Sequence, residues 1–161
     1  MNAEERIERA VEALLARLEG LPNEALYREP SAGEWPVMST LAHVVEMLPY
    51  WAGQCQSIAR SPGAGLGRTH DDPGRLGAIA AHAEDPLDAV RSSLRSSRDT
   101  ALAVLRGIPA SDWQLSGEHI RRGPMTIQQV VDEFMVSHVE DHVAQVQSAL
   151  SALGYSPSQV P

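Results

Sequence analysis

Apolar residues recur every three or four positions in four separated stretches of this chain, and that period predicts four amphipathic helices. In the first, residues 2–20, Ile7, Val11, Leu14 and Leu18 form one stripe, Asn2 and Glu5 have the spacing of a capping box, and Gly20 supplies a stop. Pro22, Pro30 and Gly33 then break the pattern. A second helix starts around Pro36 and runs to residue 59, with Pro49 expected to kink or interrupt it, since proline cannot donate to the carbonyl four residues back.

Residues 85–107 read as the third helix, with Asp85 as N-cap, Pro86 in the first position, Asp88 as the capping-box acid, and Gly107 and Pro109 at the end. The fourth, residues 126–150, opens on a Thr126–Gln129 capping box; Ile127, Val131, Phe134, His138, His142 and Ala149 share one side. Val130, Val136, Val139, Val143 and Val146 make its other faces apolar, which predicts deep burial or self-association. Between helices two and three, SPGAGLGRTHDDPGRLG is a Gly- and Pro-rich connection, and residues 61–85 read as either a crossover or a lid. Four such stripes bury best in an all-α four-helix bundle with crossover connections, one domain over residues 1–161, with GYSPSQVP as a C-terminal tail.

Composition narrows this picture. A hydrophobic share of 43% excludes general disorder, and 161 residues are enough for a sizeable core without disulfides. The formal charge of −8 argues against a broad nucleic-acid surface or an anionic membrane as partner. MNAEERIERA has no apolar signal core, so the expected location is cytoplasmic. Cys55, the single cysteine, is expected as a small buried residue.

The candidate chemistry lies in the histidines. His138 and His142 stand one turn apart on the inward stripe, and His43 lies in the second helix; if the two helices face each other, three neutral imidazoles can share one metal ion with a position left open. The chain has no HExxH, so the glutamate of that zinc-protease motif is missing. Glu46, three residues after His43, is the candidate to orient a metal-bound water or act as base, and Tyr50 the candidate for a substrate hydrogen bond. Glu140 and Asp141 point elsewhere and read as surface charges. His119 is expected to be exposed and outside the site, Arg121 and Arg122 to be ordinary solvated surface, and His70, Asp71 and Asp72 to form a solvated acidic turn.

The stretches GEWPVMSTLAHVVE (33–46) and GPMTIQQVVDEFMVSHVEDHVAQVQSAL (123–150) resemble the DinB-like and YfiT-like superfamily of small metal-binding four-helix proteins. Trp35 precedes the helix carrying His43, which matches the family's first histidine, and His138 and His142 match the pair on its last long helix. The resemblance implies a crossed bundle, often a homodimer, holding a divalent metal, zinc or nickel above all, through His43, His138 and His142. It includes thiol-transferase and hydrolase members, so the functions it suggests are S-transfer from a low-molecular-weight thiol to a small electrophile, or metal-dependent hydrolysis. A non-enzymatic, metal-stabilised stress-response or binding protein and a bundle whose histidines merely pack are the alternatives.

Overall fold

The computed structural model describes residues 1–155; the part of the expected C-terminal tail at 156–161 lies outside the described residues. The helices in chain order are α1 (Ala3–Arg17), a single turn α2 (Glu24–Tyr27), α3 (Val37–Arg60), α4 (Pro73–Ala81), α5 (Leu87–Arg106), α6 (Ile127–Val130) and α7 (His138–Ala152). Between α6 and α7, Val131–Ser137 is wound as a π-helix, so α6, the π segment and α7 make one continuous rod. That rod, α1, α3 and α5 are the four members of the bundle: α3 lies against α5, and α1 against α7.

Local signals place the ends of the first and last members. Asn2 Oδ1 accepts from the Glu5 amide at 2.9 Å while Glu5 accepts from the Asn2 amide at 2.9 Å. Thr126 and Gln129 repeat the exchange at the start of α6. Each box satisfies two amides that a helix start otherwise leaves open. Behind these caps the predicted stripe positions Ile7, Val11, Leu14, Leu18, Ile127 and Val131 are buried, and Leu41, Val44, Leu48, Leu94, Leu102 and Val146 complete the core with them. Cys55 is fully buried among them, and burial pushes its thiol up to about 12.

Pro49 does not interrupt α3, which runs through to Arg60. A proline at this position leaves the carbonyl four residues earlier, that of Val45, without its helical donor. The buried hydroxyl of Ser97 on α5 supplies the replacement, donating to the Val45 carbonyl at 2.6 Å. The kink expected from sequence is therefore compensated by a bond between helices. Ser97→Ala is expected to cost about 1–3 kcal/mol by stranding that carbonyl. The cost should largely vanish in the Pro49→Ala background, where the helix closes its own bond; urea unfolding of the two single variants and the double variant measures this, and equal costs in both backgrounds would refute the compensation.

Two sequence readings are corrected. Asp85 does not cap α5: Pro86 is the N-cap residue, no side chain caps that end, and Asp85 Oδ2 accepts from His82 Nδ1 at 2.7 Å instead. The connection after α3 is not structureless either. Asp72 caps α4 by accepting from the Arg75 amide at 2.9 Å, with Pro73 in the first turn. Beside the bundle lies a small sheet of order β1-β2-β3, formed by Gly65–Leu66, Ser116–His119 and Gly123–Thr126. β1 pairs parallel with β2, and β2 antiparallel with β3. A Cβ on Gly117 would sit 2.5 Å from Leu66 Cδ2 and 2.7 Å from the Ala64 carbonyl oxygen, so only glycine lets the two segments approach this closely. The pairing fastens the connection to the hairpin that precedes the last helical rod. No helix among the described residues is long and apolar enough to cross a membrane.

Candidate metal centre

His43 comes from the second turn of α3, and His138 and His142 from the first turns of α7. Packing of the two rods brings one nitrogen of each ring within 4.8 Å of the others. The ring centroids lie 5.2 Å (His43–His138), 5.1 Å (His43–His142) and 4.6 Å (His138–His142) apart.

Two of the rings are held by an acceptor three residues ahead. His43 Nδ1 lies 3.0 Å from Glu46 Oε1, and His142 Nδ1 lies 2.8 Å from Gln145 Oε1. A carboxylate or amide oxygen can only accept, so in both rings Nδ1 carries the proton and Nε2 keeps its lone pair. His142 Nε2 is buried and has no hydrogen-bond partner among the described residues. Buried polar atoms without partners are rare and costly, and a lone pair aimed at two other imidazoles is the arrangement a metal ion satisfies. Burial, then the nearby imidazoles of His142 and His43, pull His138 down to about 4; burial also takes His142 to about 4, against the Gln145 hydrogen bond that favours its charged form. Both rings are thus neutral donors at neutral pH. The residues present fit a divalent ion.

Glu46 is nearly buried, at 9% side-chain exposure, and has two partners. Besides His43, Arg68 Nη2 donates to both its oxygens, at 2.6 and 2.5 Å. Burial alone would raise the Glu46 pKa, but the hydrogen bonds from His43 and Arg68 outweigh it and hold the carboxyl below its usual range. The Arg68 guanidinium in turn lies over the Tyr50 ring, 3.8 Å from its centroid. Tyr50, Arg68, Glu46 and His43 therefore form a chain of support running toward the three imidazoles. Tyr50 is not among the described residues that line the cavity.

The three histidines lie in a cavity of about 950 Å³. One wall is aromatic: Trp51 and Phe134 are parallel to within 10° with centroids 4.3 Å apart, and His119 lies near-parallel beside both, 5.1 Å and 15° from Phe134 and 6.2 Å and 20° from Trp51. Trp35 meets His43 edge-on at 5.9 Å. His119 is therefore half-buried in the site wall and not the exposed residue that sequence suggested, because β2 pairing carries it back over the bundle. Its place depends on Gly67, where a Cβ would lie 2.7 Å from His119 Nε2. Arg121 and Arg122, expected as unremarkable surface, also line this cavity, with Arg122 paired to Glu133 and lying 5.1 Å from the Phe134 ring centroid. His70 lines it as well, whereas Asp72 serves as the α4 cap. Glu140 pairs with Arg6 at 2.6 Å on the outside of the bundle.

Sequence reasoning missed Arg68, Trp51 and the site role of Phe134. Phe134 had a signal, being four residues before His138 on the same stripe, and Trp51 lies two turns beyond His43; Arg68 had none, since its partner is 22 residues away.

A solved structure similar to this chain is YfiT from Bacillus subtilis, described as "a probable metal-dependent hydrolase with an unusual four-helix bundle topology": TM-score 0.78, 14% identity, 96% of this chain and 87% of that one covered. Another is a mutant of the mycothiol-dependent maleylpyruvate isomerase, with TM-score 0.62 and 13% identity over all of this chain; this chain spans 65% of the isomerase's length. At such identities the likeness is one of fold. No curated protein matches the chain. The family model of the DinB superfamily matches residues 6–146, nearly the whole bundle and all three clustered histidines, and the chain belongs to that superfamily.

Proposed function

We propose that this protein binds one divalent metal ion, zinc or nickel, through His43, His138 and His142, and transfers a low-molecular-weight thiol to a small electrophile. The observation that carries the reading is the unpartnered Nε2 of His142, buried beside two further imidazoles on a roomy cavity. A divalent ion held there supplies Lewis acidity, lowering the pKa of a thiol or water bound to it.

Transfer is favoured over hydrolysis by what surrounds the cluster. A thiol ionises near pH 8.5 unaided, about seven units below water, and asks for little proton-accepting help. Glu46, the carboxylate hydrogen-bonded to the cluster, is already committed to His43 and Arg68 and is held in its ionised form with a depressed proton affinity. We assign it to holding His43 Nε2 toward the ion, and Tyr50 to holding Arg68 in place. The aromatic wall of Trp51, Phe134 and His119 suits an apolar electrophile. Hydrolysis is the second reading, supported by the description of YfiT. In either case we take the working form to be a cytoplasmic homodimer, which sedimentation at micromolar concentration tests.

The deciding experiment reloads tag-free protein with zinc, nickel or manganese and offers a thiol with an aryl or alkyl halide in one arm and activated esters and amides in the other. Metal-dependent loss of thiol together with halide release is expected. Metal-dependent turnover in the ester and amide arm alone would replace transfer by hydrolysis. Stoichiometric metal with no turnover in either arm would leave a metal-stabilised stress-response or binding protein.

A further inference from the structure

The chain is acidic overall, at −8, yet its cavity is not. Arg68, Arg75, Arg121 and Arg122 line it, against Glu34 as the one carboxylate among the described lining residues. Two of these arginines are neutralised: Arg68 by Glu46, with Asp72 at 3.9 Å, and Arg122 by Glu133. Arg75 and Arg121 have no carboxylate within ion-pair distance among the described residues.

The two unpaired cations both line this one cavity. Arg75 is half-buried, its Nη1 donating to the His70 carbonyl at 2.9 Å and its guanidinium 5.4 Å from the Trp35 ring centroid. Trp35 is the residue that meets His43 edge-on, which places Arg75 on the histidine side of the cavity. Arg121 lies in the turn between β2 and β3, its amide donating to His119 Nδ1 at 3.2 Å, so it sits at the end of the aromatic stack. Asp71 feels its charge but forms no ion pair with it. An arginine fixed over an aromatic face and left without an acid is a standing receptor for a planar oxyanion, because a guanidinium matches a carboxylate through paired hydrogen bonds. Apolar walls sharpen the field of both charges inside the cleft.

We propose that Arg75 and Arg121 form a carboxylate-binding subsite at the mouth of the three-histidine cavity, and that the ligand the cavity selects is a small planar organic acid anion, its flat body lying along Trp51, Phe134 and His119. This names the substrate class for the thiol-transfer reading and rests on it for the fate of the ligand, but the binding step is independent of the chemistry.

The probe is trans-cinnamate, compared with its methyl ester and with the saturated, non-planar cyclohexanepropanoate, on zinc-loaded protein; binding is read by calorimetry and by quenching of tryptophan emission. Cinnamate is expected to bind at least tenfold more tightly than either comparator. Arg75→Met and Arg121→Met should each weaken cinnamate about tenfold or more while leaving the ester unchanged, and Arg75→Lys should recover part of the loss. Zinc content of the Arg variants should equal that of the parent, which separates the subsite from the metal cluster. Equal affinity for acid and ester overturns the proposal. So does an acid preference that survives both Met substitutions and disappears on zinc removal, since the carboxylate would then be held by the ion alone. If cinnamate binds through the arginines but no thiol is transferred to any acceptor, the subsite stands and the transfer reading falls; if transfer proceeds equally with charged and neutral acceptors, the reverse holds.

Discussion

Replacing His142 with alanine is expected to reduce bound zinc from near one equivalent to less than about a tenth, with little cost to the metal-free fold. The two halves of that expectation have one origin. The Nε2 atom makes no hydrogen bond among the described residues, so removing the ring from the apo protein forfeits no hydrogen bond beyond that of Nδ1 to Gln145, besides its packing on His43 and His138. In the loaded protein the same atom is one of three donors, and a divalent ion bound by two imidazoles is far weaker. Melting curves distinguish the cases. With free zinc at a hundred times its dissociation constant, binding adds about 2.7 kcal/mol, which for a chain of this size raises the midpoint by roughly 5–10 °C. The parent should show that rise and the His142→Ala variant should not. A variant that keeps its zinc, or a parent whose melting ignores zinc, would mean that the histidines pack without serving as ligands.

The second large effect is expected at Glu46. Glu46→Ala strands the Arg68 guanidinium at 15% exposure and frees the His43 ring, so stability should fall by about 3 kcal/mol and zinc affinity by roughly 10- to 100-fold. Glu46→Gln is the sharper probe. Its amide oxygen can still accept from His43 Nδ1, so turnover per bound zinc should stay within a few-fold of the parent even where affinity drops. A loss of 10² or more at equal occupancy would restore Glu46 to the role of general base, the contribution that proton transfer typically makes. Turnover and metal content must be measured on the same samples for this to decide.

How much of this was legible beforehand depends on the range of each signal. The Asn2–Glu5 and Thr126–Gln129 boxes were readable because each is complete within four residues. The stripe carrying His138 and His142 was readable from its period, and the structure brings His43 to it as a bundle packing predicts. The sheet was not, because β1 has only two residues and Gly65 and Gly117 give no alternation to detect. His119 and the Arg121–Arg122 pair were misjudged for the same reason: what takes them to the cavity is strand pairing across some fifty residues. Pro49 was read correctly as a missing donor, but the hydroxyl that answers it is on another helix. Local grammar carried the helices and the three histidines that cluster between them; the walls of the site are tertiary.

The π-wound stretch Val131–Ser137 has a consequence for how this protein can change. Each residue of an α-helix turns the chain by about 100°, and a wider turn accommodates what amounts to an extra residue without breaking the rod. Phe134 belongs to the wide part and His138 opens the regular part beyond it. A one-residue deletion within 131–137 would let the segment rewind as α-helix with the turns on either side kept in phase, so the shift falls on residues inside it, Phe134 among them, while His138 and His142 stay in register with His43. The aromatic wall and the histidine cluster are thus mechanically separable along a single helix, and a gained or lost residue in the wide turn reshapes the first without moving the second.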